Sequence, residues 1–163
     1  IGRQMIRISL LISILLLTLS CGFKPIHKFS DTNTSNASYS VKVLNNVSRE
    51  IIEEINTNII TSDDEKFIAL LTINESLDPL IVNTNGTVAK YRIEILISYK
   101  LIEINTDMEI SNGTARGSAQ YDVGTSEINN EDTKKSMTKV ATKNAIQLMV
   151  SKIQSSISRT NDN

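Results

Sequence analysis

The chain has no tryptophan, one histidine, one cysteine and two prolines in 163 residues, and each scarcity removes a class of chemistry. With His27 alone, neither a histidine-based triad nor a multi-histidine metal site can form. With Cys21 alone, no intrachain disulfide can form. Neither a GxGxxG turn nor a Walker loop is present. The balance of 17 Lys+Arg against 18 Asp+Glu lacks the basic excess of a nucleic-acid binder. The acidic runs Glu53-Glu54, Asp63-Asp64-Glu65 and Glu131-Asp132 fall on a helix face, in a loop and at a helix start, where solvation and the helix dipole account for them. The expectation is a protein that is not an enzyme, needs no metal or other cofactor and binds no nucleic acid.

What is present begins at the N-terminus. Two basic residues, Arg3 and Arg7, precede an apolar run from Ile8 to Leu19 broken only by Ser9, Ser13 and Thr18. This is the pattern of a secretory signal peptide. A spanning helix needs about 20 apolar residues, and this run is shorter and leads directly into a polar chain. It ends in Leu17-Thr18-Leu19-Ser20-Cys21, which resembles a lipobox, with Thr18 where a leucine is usual. Residues 1–20 are therefore expected to be removed, and Cys21 to carry covalent diacylglycerol and an N-linked acyl chain. At about 0.8 kcal/mol per buried CH₂, one acyl chain holds a protein at a membrane marginally, whereas two or more hold it stably. Gly22 follows the cysteine, and the absence of Asp there favours the outer membrane over the inner one. The first residue is Ile1 rather than Met, which points to a truncated or alternative start.

Loss of Arg3 and Arg7 leaves 15 basic against 18 acidic residues, a formal charge of −3. Ser30 to Ser38 contains no large apolar side chain, so residues 21–38 read as a lipidated start and flexible tether. Residues 39–158 form one domain of ordinary size, followed by a polar tail at 159–163.

Within the domain, Tyr39, Val41 and Val43 alternate with polar residues and predict a strand to Leu44. Ile51, Ile52, Ile55, Ile59 and Ile60 form the stripe of an amphipathic helix. Phe67 to Ile73 is a short apolar run suited to a covered strand. Asn85-Gly86 signals a turn. The clearest pattern places Ala89, Tyr91, Ile93, Ile95, Ile97, Tyr99 and Leu101 on one strand face, with Lys90, Arg92, Glu94, Ser98 and Lys100 on the other. Asn105-Thr106-Asp107 turns into a glycine-containing strand from Met108 to Tyr121. A long helix from Glu131, capped by Asn130, to Ser158 follows. Met137, Val140, Ala141, Ala145 and Leu148 mark its first stripe, and Ile146, Met149, Val150, Ile153 and Ile157 continue it. The order βαβββα predicts an α+β two-layer sandwich, a four-stranded sheet with two helices packed on one face.

The residues Cys21-Gly22-Phe23-Lys24-Pro25-Ile26-His27 closely resemble the C-G-F-x-P-L-Y start of mature LPS-assembly lipoproteins of the LptE family. The chain departs from that pattern conservatively at Ile26, and at His27 where the family usually has Tyr. The family's order of elements also agrees, with a glycine in the fourth strand, an aromatic after it and alanines in the last helix. Gly113 or Gly117, Tyr121, and Ala141 with Ala145 stand where these fall. The resemblance implies an outer-membrane lipoprotein on the periplasmic side that plugs the β-barrel LptD and assists assembly of lipopolysaccharide at the cell surface. A different reading is a periplasmic lipoprotein serving as docking subunit of another envelope transport or maintenance complex.

Lys90, Arg92 and Arg116 are the candidate contacts to a barrel wall or to lipopolysaccharide, chosen by position rather than by a family motif. Lys90 and Arg92 share one strand face, and Arg116 lies on a strand expected beside it. Basic side chains pair well with lipid phosphates, Arg as a fork and Lys as a point charge. An ordinary solvated sheet face has the same pattern.

Overall fold

The long alternation of the third strand shapes the molecule. In the computed structural model, which describes residues 39–59 and 65–161, β3 (Val88–Glu103) is paired along almost its whole length on both sides. Its neighbours β2 (Phe67–Val82) and β4 (Met108–Asp122) both run antiparallel to it, while β1 (Tyr39–Val43) pairs parallel with the start of β2. The sheet order is β1-β2-β3-β4. Helix α1 (Arg49–Asn58) connects the parallel pair, and α2 (Glu127–Asn161) follows β4. This is the expected four-stranded α+β sandwich, with both helices contributing to one core. The unit spanning Ile1–Thr34 lies outside the described residues, and with it the signal segment, Cys21 and His27.

Odd-numbered side chains of β3 form the centre of the core. Ile93, Ile95, Ile97 and Leu101 are wholly buried, alongside Leu71 and Ile73 of β2, Ile51 of α1, and Ile146, Met149 and Ile153 of α2. β-branched isoleucines suit a pleated surface because their restricted rotamers lose little freedom there.

Close approach of α2 to the sheet depends on small residues. A Cβ at Gly117 would collide with the Ala141 carbonyl oxygen and come within 2.5 Å of the Ala145 nitrogen. The fourth-strand glycine and the helix alanines therefore meet at one crossing. Farther along, Tyr121 is buried and stacks on Tyr91 with ring centroids 5.7 Å apart.

Several elements differ from the sequence expectation. β2 continues from Ile73 to Val82 through Asn74, Glu75, Ser76 and Pro79. Beyond Leu71 its outer edge is met, among the described residues, by Asn45, whose side-chain amide donates to the Ile73 carbonyl and accepts from its amide. Pro79 is tolerated because an edge strand does not need that missing N–H. Register shifts follow it, leaving Leu80 without a partner on β3.

Helix α2 starts at Glu127 and includes residues to Asn161, taking in part of the expected tail. Ser126 caps it: its Oγ accepts the Asn129 amide at 3.4 Å and its carbonyl accepts the Asn130 amide at 3.0 Å. Asn130 is not the cap. Its side chain instead clasps the backbone N–H and C=O of Gly124. Ile52, Val140 and Leu148 are exposed rather than on the buried stripes, and Thr138 and Thr142 are buried in α2. Threonine is accepted there because each hydroxyl has a partner: Thr142 donates to the Thr138 carbonyl, and Thr138 to Glu75. Ile60 lies outside the described residues.

Candidate functional site: the uncovered face of the sheet

The helices occupy one side of the sheet, so the even-numbered residues of β3 line the other. Pairing register turns that face into cross-strand rows. Asp78, Arg92 and Gln120 share a row, as do Ser76, Glu94 and Ser118; Asn74, Leu96 and Arg116; and Leu70, Lys100 and Asn112. Directly opposed residues have neighbouring side chains, so each row is a unit of interaction.

The three candidate cations all lie on this face, but they do not form one cluster. Lys90 pairs with Asp122 at 3.1 Å, and Arg116 with Glu94 at 3.3 Å. Arg116 stands in the Leu96 row, about 13 Å along the strand from Arg92 at ~3.3 Å per residue. A third pair, Lys100 with Glu109 at 3.7 Å, continues the pattern. Arg92 has no ion pair among the described residues, although the register places Asp78 beside it.

The carboxylates were the missed half of the site. Glu94 shares its strand face with the cations and is visible in the alternation, whereas Asp122 and Glu109 join the face only through pairing. Each pair is partly solvated and individually worth little, about 0–1 kcal/mol. Together they make a charge-balanced surface rather than a basic one.

Apolar residues occupy the β1 end of this face. Ile68 and Ile102 share a row and are half-buried, as are Leu70 and Leu96. Leu44, exposed just beyond β1, borders a shallow depression of about 290 Å³ with Leu70, Thr72, Ser98 and Lys100. Among the described residues no three His, Cys, Asp or Glu side chains come together as a metal site, and no helix is long and apolar enough to cross a membrane.

Between the helices one carboxylate is shared by two cations. Hydrogen bonds from Lys139 and Arg49, each at 2.8 Å, hold the Glu53 carboxyl below the usual carboxylate range, and the same pairing raises Lys139. This bridge joins α1 to α2 at an exposed position.

No family model matches the chain, and no curated protein matches it. Solved structures do. A lipoprotein from Caulobacter crescentus superimposes with a TM-score of 0.57 at 11% identity, over 78% of this chain and 93% of that one. Two bacterial lipoproteins share this fold. The second, lipoprotein B from Nitrosomonas europaea, has a TM-score of 0.50 at 11% identity over 72% of this chain and 86% of that one. Rare lipoprotein B from Shewanella oneidensis gives a TM-score of 0.46 at 15% identity, covering 72% of this chain and 96% of its own. At these identities the likeness concerns the fold.

Proposed function

We propose that the chain is an outer-membrane lipoprotein, anchored through Cys21 on the periplasmic side, that acts as a non-enzymatic plug and partner of the β-barrel LptD in lipopolysaccharide assembly. The carrying observation is the uncovered sheet face, a rigid surface of paired charges on a fold shared with bacterial lipoproteins. A barrel lumen is polar and wet, and a body that fills it must present fixed polar groups without a large net charge. The open face meets that requirement because Lys90, Lys100 and Arg116 each have a carboxylate close by. The Cys21-Gly22-Phe23-Lys24-Pro25-Ile26 start supports the same reading and supplies the anchor.

In this reading Lys90, Arg92 and Arg116 meet either the barrel wall or the phosphates of lipopolysaccharide. Arg92 is the strongest candidate of the three, since an incoming phosphate need not displace an existing ion pair. Depletion of the protein tests the proposal. Loss of surface lipopolysaccharide and of LptD maturation is the expected result, and normal levels of both would overturn it. Cys21→Ser should abolish acyl labelling and release the protein into the periplasm; a labelled, membrane-bound mutant would refute the anchor.

A further inference from the structure

The apolar end of the open face is covered by no element among the described residues. Ile68 and Ile102 share a row there, Leu70 lies one row farther along, and Leu44, 56% exposed, borders the shallow depression beside Leu70 and Thr72. None of these four aliphatic side chains belongs to the core cluster. The rest of the face carries paired charges, so this end is the part of it that gains from leaving water.

Where the chain enters the domain indicates what covers it. Tyr39 opens β1, its neighbour Ser40 sits beside Ile68, and Ile68 sits beside Ile102. At about 4.8 Å between strands and ~3.3 Å per residue along them, all four side chains lie within roughly 17 Å of that entry point. Ahead of Tyr39 come residues 30–38, all small or polar, and ahead of those Phe23, Ile26 and Phe29, the large apolar side chains between Cys21 and β1. A flexible linker of nine residues has a root-mean-square span of about 17 Å. Effective concentration is greatest when linker and span match, and reaches the millimolar range for short linkers. A contact too weak to hold a free peptide or a second copy is therefore occupied when the segment belongs to the same chain.

We infer that residues 23–29 of this chain dock on the apolar end of the open face, with Phe23, Ile26 and Phe29 against Leu44, Ile68, Leu70 and Ile102. The three-residue spacing around Pro25 suits a polyproline turn, in which side chains three apart share one side. Docking keeps Cys21, two residues before Phe23, close to the sheet, so the open face is turned toward whatever surface that cysteine is attached to. The contact needs neither the acyl chains nor the barrel partner, and its failure would leave the plug reading untouched.

The test uses the full chain in phosphatidylcholine vesicles, with the photocrosslinking residue benzoylphenylalanine in place of Lys28, which leaves the three apolar side chains intact. Equal amounts of nitrogen-14 and nitrogen-15 chains are mixed before illumination, and the crosslinked peptides are mapped by mass spectrometry. Crosslinks to residues 68–70 or 102 within chains of one isotope are expected. Lengthening residues 30–38 about threefold with the same residue types should weaken docking about fivefold, following the −3/2 power of linker length. Leu70→Ser with Ile102→Ser should weaken it about tenfold or more. Ile26→Ser with Phe29→Ser leaves the domain itself unaltered and should remove the same crosslinks. Mixed-isotope crosslinks at full yield, insensitive to linker length, would show that a second copy supplies the segment and would overturn the proposal. So would crosslinks that miss residues 68–70 and 102, or a yield unchanged in Ile26→Ser with Phe29→Ser.

Discussion

The two faces of β3 are made by one stretch of chain and obey different physics. Toward the helices, Ile93, Ile95, Ile97 and Leu101 are wholly buried and fit against side chains from both helices. Away from them, Lys90, Glu94 and Lys100 stand partly in water and are held by cross-strand carboxylates or cations. The first face specifies the fold because apolar burial is worth ~25 cal/mol per Å² and packing at native density penalises any misfit. The second face contributes little to stability and can be spent on recognition. The helix-facing side should therefore resist substitution and the open side should tolerate it.

The largest effect is expected for Ile95→Asp, which buries an unpaired carboxylate at the centre of the core. A loss of about 4 kcal/mol or more is anticipated in denaturant unfolding; an unchanged midpoint would show that this face is not the core. Gly117→Ala follows, since the new methyl group meets helix backbone at Ala141 and Ala145 rather than a flexible side chain. A cost of about 3 kcal/mol is expected, read as a lower melting temperature with the same unfolding slope. A neutral Gly117→Ala would mean that α2 can move off the sheet freely.

On the open face, charge reversal of Lys90 and Arg92 to Glu should change stability by less than about 1 kcal/mol. The same double variant should lose either co-purification with LptD or salt-sensitive binding of lipopolysaccharide. Measuring both on one preparation separates barrel contact from lipid contact, and retention of both would leave these residues as ordinary solvated positions.

The smallest effect lies at the helix bridge. The Glu53 pKa is depressed in the fold, so its contribution is present above the unfolded carboxylate pKa and is lost as pH falls through the folded value. Lys139 is raised, so its share is present below the unfolded lysine pKa and is lost as pH rises through the folded value. Glu53→Gln should flatten the acid limb of melting temperature against pH slightly, because the pair is solvent-exposed. A mutant whose acid limb matches the wild type would show that the bridge contributes nothing.

Legibility in the sequence followed the same division. The alternation of β3 and the isoleucines of α1 identified the main core strand and its covering helix, because burial writes a period into the chain. Polar positions carry no such period. Asn74, Glu75, Ser76 and Pro79 look like a loop, and only pairing with β3 makes them strand. The α2 stripe was misread at Val140 and Leu148 because valine and leucine suggest core, whereas a helix pressed against a sheet at Gly117 admits alanine and paired threonines at the contact.

The sequence by itself determined the order of elements, the apolar side of β3, both turn positions and the site of the lipid-anchor pattern at Cys21. Each of these is a local matter of periodicity, turn chemistry or residue order. Tertiary structure decided which carboxylate neutralises which cation, that Gly117 rather than Gly113 marks the helix crossing, and that Gly113 instead makes room for Tyr99. Those outcomes depend on strand register, and register is set by how distant segments pack rather than by the residues beside each one in the chain.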